Sequence, residues 1–209
     1  MALTLANLRD EVRLMVGDPI RKDSGGATLV GPQIFTDAQV NAAINFAQIL
    51  YCQETGVTVT QASVSTDSGG FGVLPSDAMA EARWASTAGG NLMRTNKAWE
   101  DVLSATSRGV GTPTRWEPIG SHAIRVYPAG SISVVVEYLQ APTEMTADGN
   151  SPDSRIPTQH QRHLVYAAAG HLLAQASDAQ DLAKSRDYFA IFHGILHPPA
   201  PAMSGRGEG

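Results

Sequence analysis

The stretch Phe35-Thr36-Asp37-Ala38-Gln39-Val40-Asn41-Ala42-Ala43-Ile44-Asn45-Phe46-Ala47-Gln48-Ile49-Leu50-Tyr51-Cys52-Gln53-Glu54-Thr55-Gly56-Val57-Thr58-Val59-Thr60 contains a helix, its start, its stop and a change of texture. Thr36 and Gln39 have capping-box spacing: the hydroxyl accepts from the amide three residues on, and the glutamine side chain reaches back to the threonine amide. Phe35 and Val40 stand at the two positions of a hydrophobic staple, so a helix is predicted to start within a residue of Asp37. Val40, Ala43, Ile44, Ala47, Leu50 and Tyr51 supply its apolar face, and Gly56 is its expected end. Past Gly56 the residues become β-branched, and Val57–Thr60 and Ala62–Val64 read as short strands.

Toward the N-terminus, Leu5, Leu8, Val12, Met15 and Val16 form another helical stripe, with Thr4 as N-cap and Gly17 just past the end. Residues 18–34 hold many breakers and read as a long loop. Toward the C-terminus, Ser68-Gly69-Gly70 is a turn with Phe71–Leu74 as the returning strand. A strand around Arg83, Trp84 and Ala85 is expected to pair with Leu92-Met93-Arg94, and Thr95 to cap a short helix through Trp99, Val102 and Leu103. Thr114–Glu117, Ala123–Tyr127 and Ile132–Leu139 read as three more strands. Helical texture returns at Thr158–Gln175, apolar almost all round, for which a neighbouring subunit is the expected extra cover. A last helix opens at Asp178 and Asp181, follows Leu182, Phe189, Phe192, His193 and Leu196, and stops at Pro198-Pro199.

These elements predict an α+β chain. Residues 1–56 and 156–197 would form a helical bundle, with a small antiparallel β subdomain inserted at 57–142, a linker at 143–155 and an extended tail at 198–209.

Fifteen Lys plus Arg against twenty Asp plus Glu give a net charge of -5, and no four basic residues cluster. Gripping nucleic acid by charge is thereby disfavoured. No apolar run has the length of a membrane span, and the N-terminus lacks the features of a signal peptide, so synthesis in the cytoplasm is expected. Cys52 is the sole cysteine, which excludes an internal disulfide and the cysteine-rich zinc frameworks; it reads as a small apolar residue, not a nucleophile. The nucleophile-elbow, P-loop, dinucleotide and zincin motifs are missing.

The nearest approach to a metal set is His160 with His163; His171 lies about 16 Å further along a continuous helix, out of reach. Ordinary solvent-facing or hydrogen-bonded histidines are the expectation. Asp148-Gly149-Asn150 with Asp153 resembles part of a calcium loop but lacks the bidentate glutamate, and reads as a turn. Glu100 and Asp101 are neighbours on a predicted helix and point apart. Trp84, Trp99 and Trp116, two of them beside Arg83 and Arg115, are expected to pack across strands and not to stack on bases. The expectation is therefore no catalytic site, no metal and no cofactor.

Taken in order, several segments resemble the head-to-tail adaptor (connector, neck) proteins of tailed bacteriophages. They are the opening Leu8-Arg9-Asp10-Glu11-Val12-Arg13, then Phe35–Asn45, and Val73-Leu74-Pro75-Ser76-Asp77. Gly111-Thr112-Pro113-Thr114-Arg115-Trp116 follows, then Ile124–Pro128, Ile156-Pro157 ahead of a Tyr/Ala/Leu-rich helix, and Tyr188-Phe189 in the last helix. The insertion around Ser24–Pro32 and the Pro/Gly tail depart from that pattern. The resemblance implies a structural virion protein at the head-tail junction, one subunit of a homo-oligomeric ring, commonly twelve copies, between the portal protein and the first tail or nozzle component. DNA would pass through its lumen without specific binding. Phe192, Leu196, Pro198, Pro199 and Met203 are the expected portal contacts. The alternatives are another neck layer, such as a head-tail stopper or tail-completion protein, or an enzyme that its motifs do not announce.

Overall fold

Helix α1 (Leu5–Met15) begins where Thr4 and Asn7 cap each other: the Asn7 amide donates to Thr4 Oγ1 at 3.4 Å and the Thr4 amide to Asn7 Oδ1 at 3.3 Å. Leu5, Leu8 and Val12 are buried, and the chain leaves the helix through Gly17 at φ +77°, the left-handed conformation glycine adopts without strain. Helix α2 (Asp37–Thr55) starts at the predicted residue; Thr36 N donates to Gln39 Oε1 at 2.8 Å and Gln39 N to Thr36 Oγ1 at 3.3 Å. Gly56, at φ +66°, ends it. The computed structural model describes residues 3–18, 34–95, 111–175 and 179–198; the helix expected after Thr95 and most of the 18–34 loop lie outside them.

The predicted helix 158–175 is two: α3 (Thr158–Gln161) and α4 (Leu164–Ala174), parted at Arg162-His163. Helix α5 (Ala179–Leu196) follows. The apolar all-round α4 is covered by α1, α2 and α5 of its own chain, with eight of its eleven residues buried, so the expected cover by a neighbouring subunit is not needed. Gly170 makes the close approach of α4 and α5 possible, since a Cβ there would meet the Phe189 ring at 3.1 Å and the Ser185 carbonyl oxygen at 3.2 Å. Ser185 Oγ donates to the Gly170 carbonyl at 2.7 Å across the same contact.

Thr143–Arg155 is anchored along α2. Asn45 Oδ1 accepts from Met145 N at 2.9 Å while its Nδ2 donates to Met145 O at 3.1 Å, and Gln48 Oε1 accepts from Asp153 N at 2.9 Å. Two amides on α2 thus satisfy backbone groups that burial would otherwise leave unpaired.

The middle of the chain builds two four-stranded sheets. The first runs β1 (Val59–Ser65), β8 (Ser133–Leu139), β3 (Trp84–Thr87), β4 (Gly90–Asn91). The second runs β2 (Phe71–Val73), β7 (Ala123–Tyr127), β6 (Arg115–Ile119), β5 (Met93–Arg94). Their buried residues, among them Val64, Leu74, Ala85, Trp116, Ile124, Val126, Val134 and Val136, form a core of their own. The chain divides into two units on these lines, Met1–Thr55 with Thr143–Gly209, and Gly56–Pro142.

The expected architecture, a helical bundle with a small antiparallel insert, is therefore incorrect. Among the described residues the β part has two sheets with a shared core, and it is not wholly antiparallel, because β5 runs parallel to β6. Phe71–Val73 does not return beside β1: it crosses to the second sheet and pairs with β7. The returning partner of β3 is Gly90–Asn91, and Met93–Arg94 departs to the other sheet. Short strands bounded by glycines reveal that the chain reverses, not which sheet receives it.

Candidate functional site

A buried arginine knits the helical unit. Arg13, on the apolar side of α1, has no exposed surface; Nη1 donates to Asp18 Oδ2 at 2.7 Å and Nη2 to Asp37 Oδ1 at 2.6 Å. Asp18 Oδ2 also accepts from Phe35 N at 3.1 Å, so one carboxylate holds both flanks of the loop between α1 and α2. One turn earlier, Arg9 donates to Asn41 Oδ1 at 3.0 Å and pairs with Asp37 and Asp148. None of this was read from the sequence. The signal present is a charged residue at position 13, beside Val12 on the stripe begun by Leu5 and Leu8.

The Asp148–Asp153 segment is a turn, as its residues predict. Asn150 Oδ1 accepts from Thr146 N at 2.9 Å and Ala147 N at 2.7 Å, and the Asp148 and Asn150 carbonyls accept the first amides of α1. The Asp153 carboxylate accepts from the Arg155 guanidinium, and also from the Arg155 and Thr143 amides; the guanidinium above all holds its pKa well below the usual carboxylate range. These oxygens are occupied by the chain's own donors.

His160 and His163 meet edge to face with ring centroids 5.7 Å apart, and the Nδ1 of each is buried without a partner. His171 stacks on Phe46 at 4.1 Å. Among the described residues no three His, Cys, Asp or Glu side chains are grouped to hold a metal ion. Burial lowers the His163 pKa, helped by the charge of His160, and burial alone lowers that of His171.

A histidine whose folded pKa lies below its ordinary 6.5 takes up protons more readily when unfolded, so stability rises with pH through that window and falls on acidification. The melting temperature should therefore drop between about pH 7 and pH 5. His171→Phe, which keeps a ring against Phe46, should flatten that slope; an unchanged slope would count against this assignment.

Of the tryptophans, Trp116 is buried with the Arg94 guanidinium 5.7 Å from its ring, whereas its neighbour Arg115 points to the other side of β6. Trp84 is half-buried on β3, and Trp99, Glu100 and Asp101 lie outside the described residues. Cys52 is fully buried.

The expected portal contacts separate. Phe192 is completely buried within the helical unit, its ring edge-on to His193 at 5.7 Å, so it is corrected from a contact residue to a packing one. An α5 stripe read as one face carries both its buried and its accessible positions. Leu196 is half-buried, Pro198 exposed, and Pro199 and Met203 fall outside the described residues.

The second sheet has a face that the sequence reading missed, exposed at Phe71, Val73 and Ile119 but with Glu117 buried at its centre. Cross-strand pairs Phe71 with Arg125, Arg125 with Glu117, Val73 with Ala123 and Ala123 with Ile119 all lie on one side, with Gly72, Ile124, Val126 and Trp116 on the other. Arg125 is flanked there by two rings, 4.7 Å from Phe71 and 5.1 Å from Tyr127, while Tyr127 donates to Glu117 Oε1 at 2.7 Å. Alternation along three strands, Phe71/Val73, Arg125/Tyr127 and Glu117/Ile119, is the signal that would have found it.

The model of one family, the SU10 adaptor proteins, matches residues 3–198. No curated protein matches the chain. A match that runs from ahead of α1 to the residue after His197 spans every element described above, and the chain accordingly belongs to the SU10 adaptor protein family, structural adaptors of bacteriophages.

Proposed function

We propose that this chain is one subunit of a closed ring of about twelve copies that joins the capsid portal to the first tail or nozzle component and lines part of the DNA channel. The observation that carries this reading is the family match across nearly the whole chain. The charge agrees with it: at -5 per subunit, such a ring carries about -60, and an acidic lumen lets DNA pass without adhering. The portal-facing end is the last turn of α5 and the residues after it, through Leu196, Pro198, Pro199 and Met203.

Mixing the purified protein with purified portal rings tests this directly. Ring-on-ring particles in the electron microscope are the expected result; binding to tail tube alone would assign the chain to another neck layer. Deleting residues 198–209 should weaken portal docking by at least about tenfold, or 1.4 kcal/mol, with the helical circular dichroism and its melting curve unchanged. Unaltered docking would remove the tail from the interface.

A further inference from the structure

Where the chain enters α4 it carries two histidines with buried, unpartnered nitrogens. Helix α3 is a single turn with no buried residue, and Pro157 offers it no side-chain cap. The turn ends at Arg162, and His163 is the N-cap residue of α4, again without a side-chain bond. His160 leans on Tyr51 of α2 with ring centroids 5.8 Å apart, and His163 stands edge-on to His160 at 5.7 Å. The Nδ1 of each ring is shut off from water and bonded to nothing.

A neutral imidazole tolerates that arrangement, since one of its nitrogens can remain an unprotonated acceptor, whereas an imidazolium donates from both. Proton uptake therefore buries an N–H that has no acceptor, and a charge with it. For His163 the proton also arrives beside His160 and at the positive end of α4.

The surroundings do not offset this cost. Among the described residues no carboxylate lies within ion-pair distance of either ring. Glu11 of α1 holds Arg162, Asp153 holds Arg155, and Glu54 of α2 holds His197, which follows α5. Tyr51 is a phenol that burial keeps protonated, with the buried thiol of Cys52 next to it, and the charge next to α3, Arg162, is a further cation.

Little holds α3 down. Gln161 Nε2 donates to the Ile156 carbonyl at 3.1 Å, and the Arg162–Glu11 pair at 3.1 Å is an exposed one. We propose that α3 and its joint with α4 form a proton-operated latch. With both histidines neutral the turn lies against α2; protonation of the pair releases it while α2, α4 and α5 stay folded. Acid thus loosens the entry to α4 before it unfolds the unit.

The sign follows from His163. Burial and the neighbouring His160 hold its pKa below 6.5, so the released turn binds more protons, and release is favoured as pH falls below 6.5. A ring that takes up its proton at about 6.5 only when released makes the open state about tenfold more populated at about pH 5.5 than at about pH 7.5.

The test is hydrogen-deuterium exchange of the purified full chain at those two pH values, with rates corrected for the intrinsic effect of pH. The His160 and Gln161 amides donate to the Pro157 carbonyl and the His163 amide to that of His160. These amides should lose protection at least about tenfold in acid, whereas peptides from α5 and β8 should keep theirs. Replacing both rings, His160→Gln with His163→Gln, should abolish the loss, and His171→Phe should leave it in place.

Protection indifferent to pH in the wild type would overturn the proposal. So would an equal loss in the folded double variant, or a loss shared equally by α4 and α5, which is unfolding of the whole unit. If the double variant melts early, proton NMR of the wild type decides: the His163 ring should titrate below 6.5, and an ordinary titration there removes the latch.

Discussion

Replacing Arg13 by alanine is expected to destabilise the helical unit by about 3–5 kcal/mol. The guanidinium is fully buried and bonds Asp18, itself 7% exposed, so its removal strands a carboxylate away from water and unties the Phe35 amide held by the same oxygen. Asp37, more than half exposed, tolerates the loss of its partner, so most of the penalty falls on Asp18. Arg13→Met, which restores volume, should recover little. Arg13→Met with Asp18→Asn should recover much more, because the neutral amide no longer has to be desolvated as an ion. The measurement is the far-ultraviolet circular dichroism melt, expected to fall by about 10 °C for Arg13→Ala. A loss under about 1 kcal/mol would show that water reaches Asp18 and that the ion pair is not the brace described here.

The second large effect is expected at Gly72, in the centre of β2. A Cβ at this position would sit 2.6 Å from Val64 Cγ1 and 3.2 Å from Thr66 Cγ2, so even alanine requires the two sheets to separate or Val64 to leave its rotamer. Gly72→Ala should cost about 1–3 kcal/mol and Gly72→Val more. Because all three tryptophans lie within 57–142, their fluorescence follows the β unit and provides the readout. The specific check is a double mutant: Val64→Ala removes the clashing methyl, so Gly72→Ala should cost far less in that background than in the wild type. Simple additivity would place the strain elsewhere.

What the sequence disclosed was local. Thr36 with Gln39, Thr4, Gly17 and Gly56 marked helix ends correctly, since capping is a matter of three or four consecutive residues. Ala123–Tyr127 matched its observed bounds and Ile132–Leu139 came within one residue, because alternation and β-branching are also local. What it withheld was long-range. Ser68-Gly69-Gly70 announces a reversal, but only the complete core decides that β2 joins β7 and not β1. The parallel pairing of Met93–Arg94 with β6 depends on partners more than twenty residues away. The break at Arg162-His163 has no proline or glycine to mark it. At the candidate surfaces the same division holds. Arg13 and Arg125 are ordinary arginines in one dimension, and only packing reveals one as a buried brace and the other as a cation clasped by two rings.

The covering of α4 by α1, α2 and α5 also bears on the order of events in a cell. A polypeptide whose greasiest segment is already wrapped by its own helices reaches its native state by a first-order process, independent of how many siblings surround it. Under the adaptor proposal, newly made molecules would fold singly first and join an assembly only when the structure that recruits them arrives.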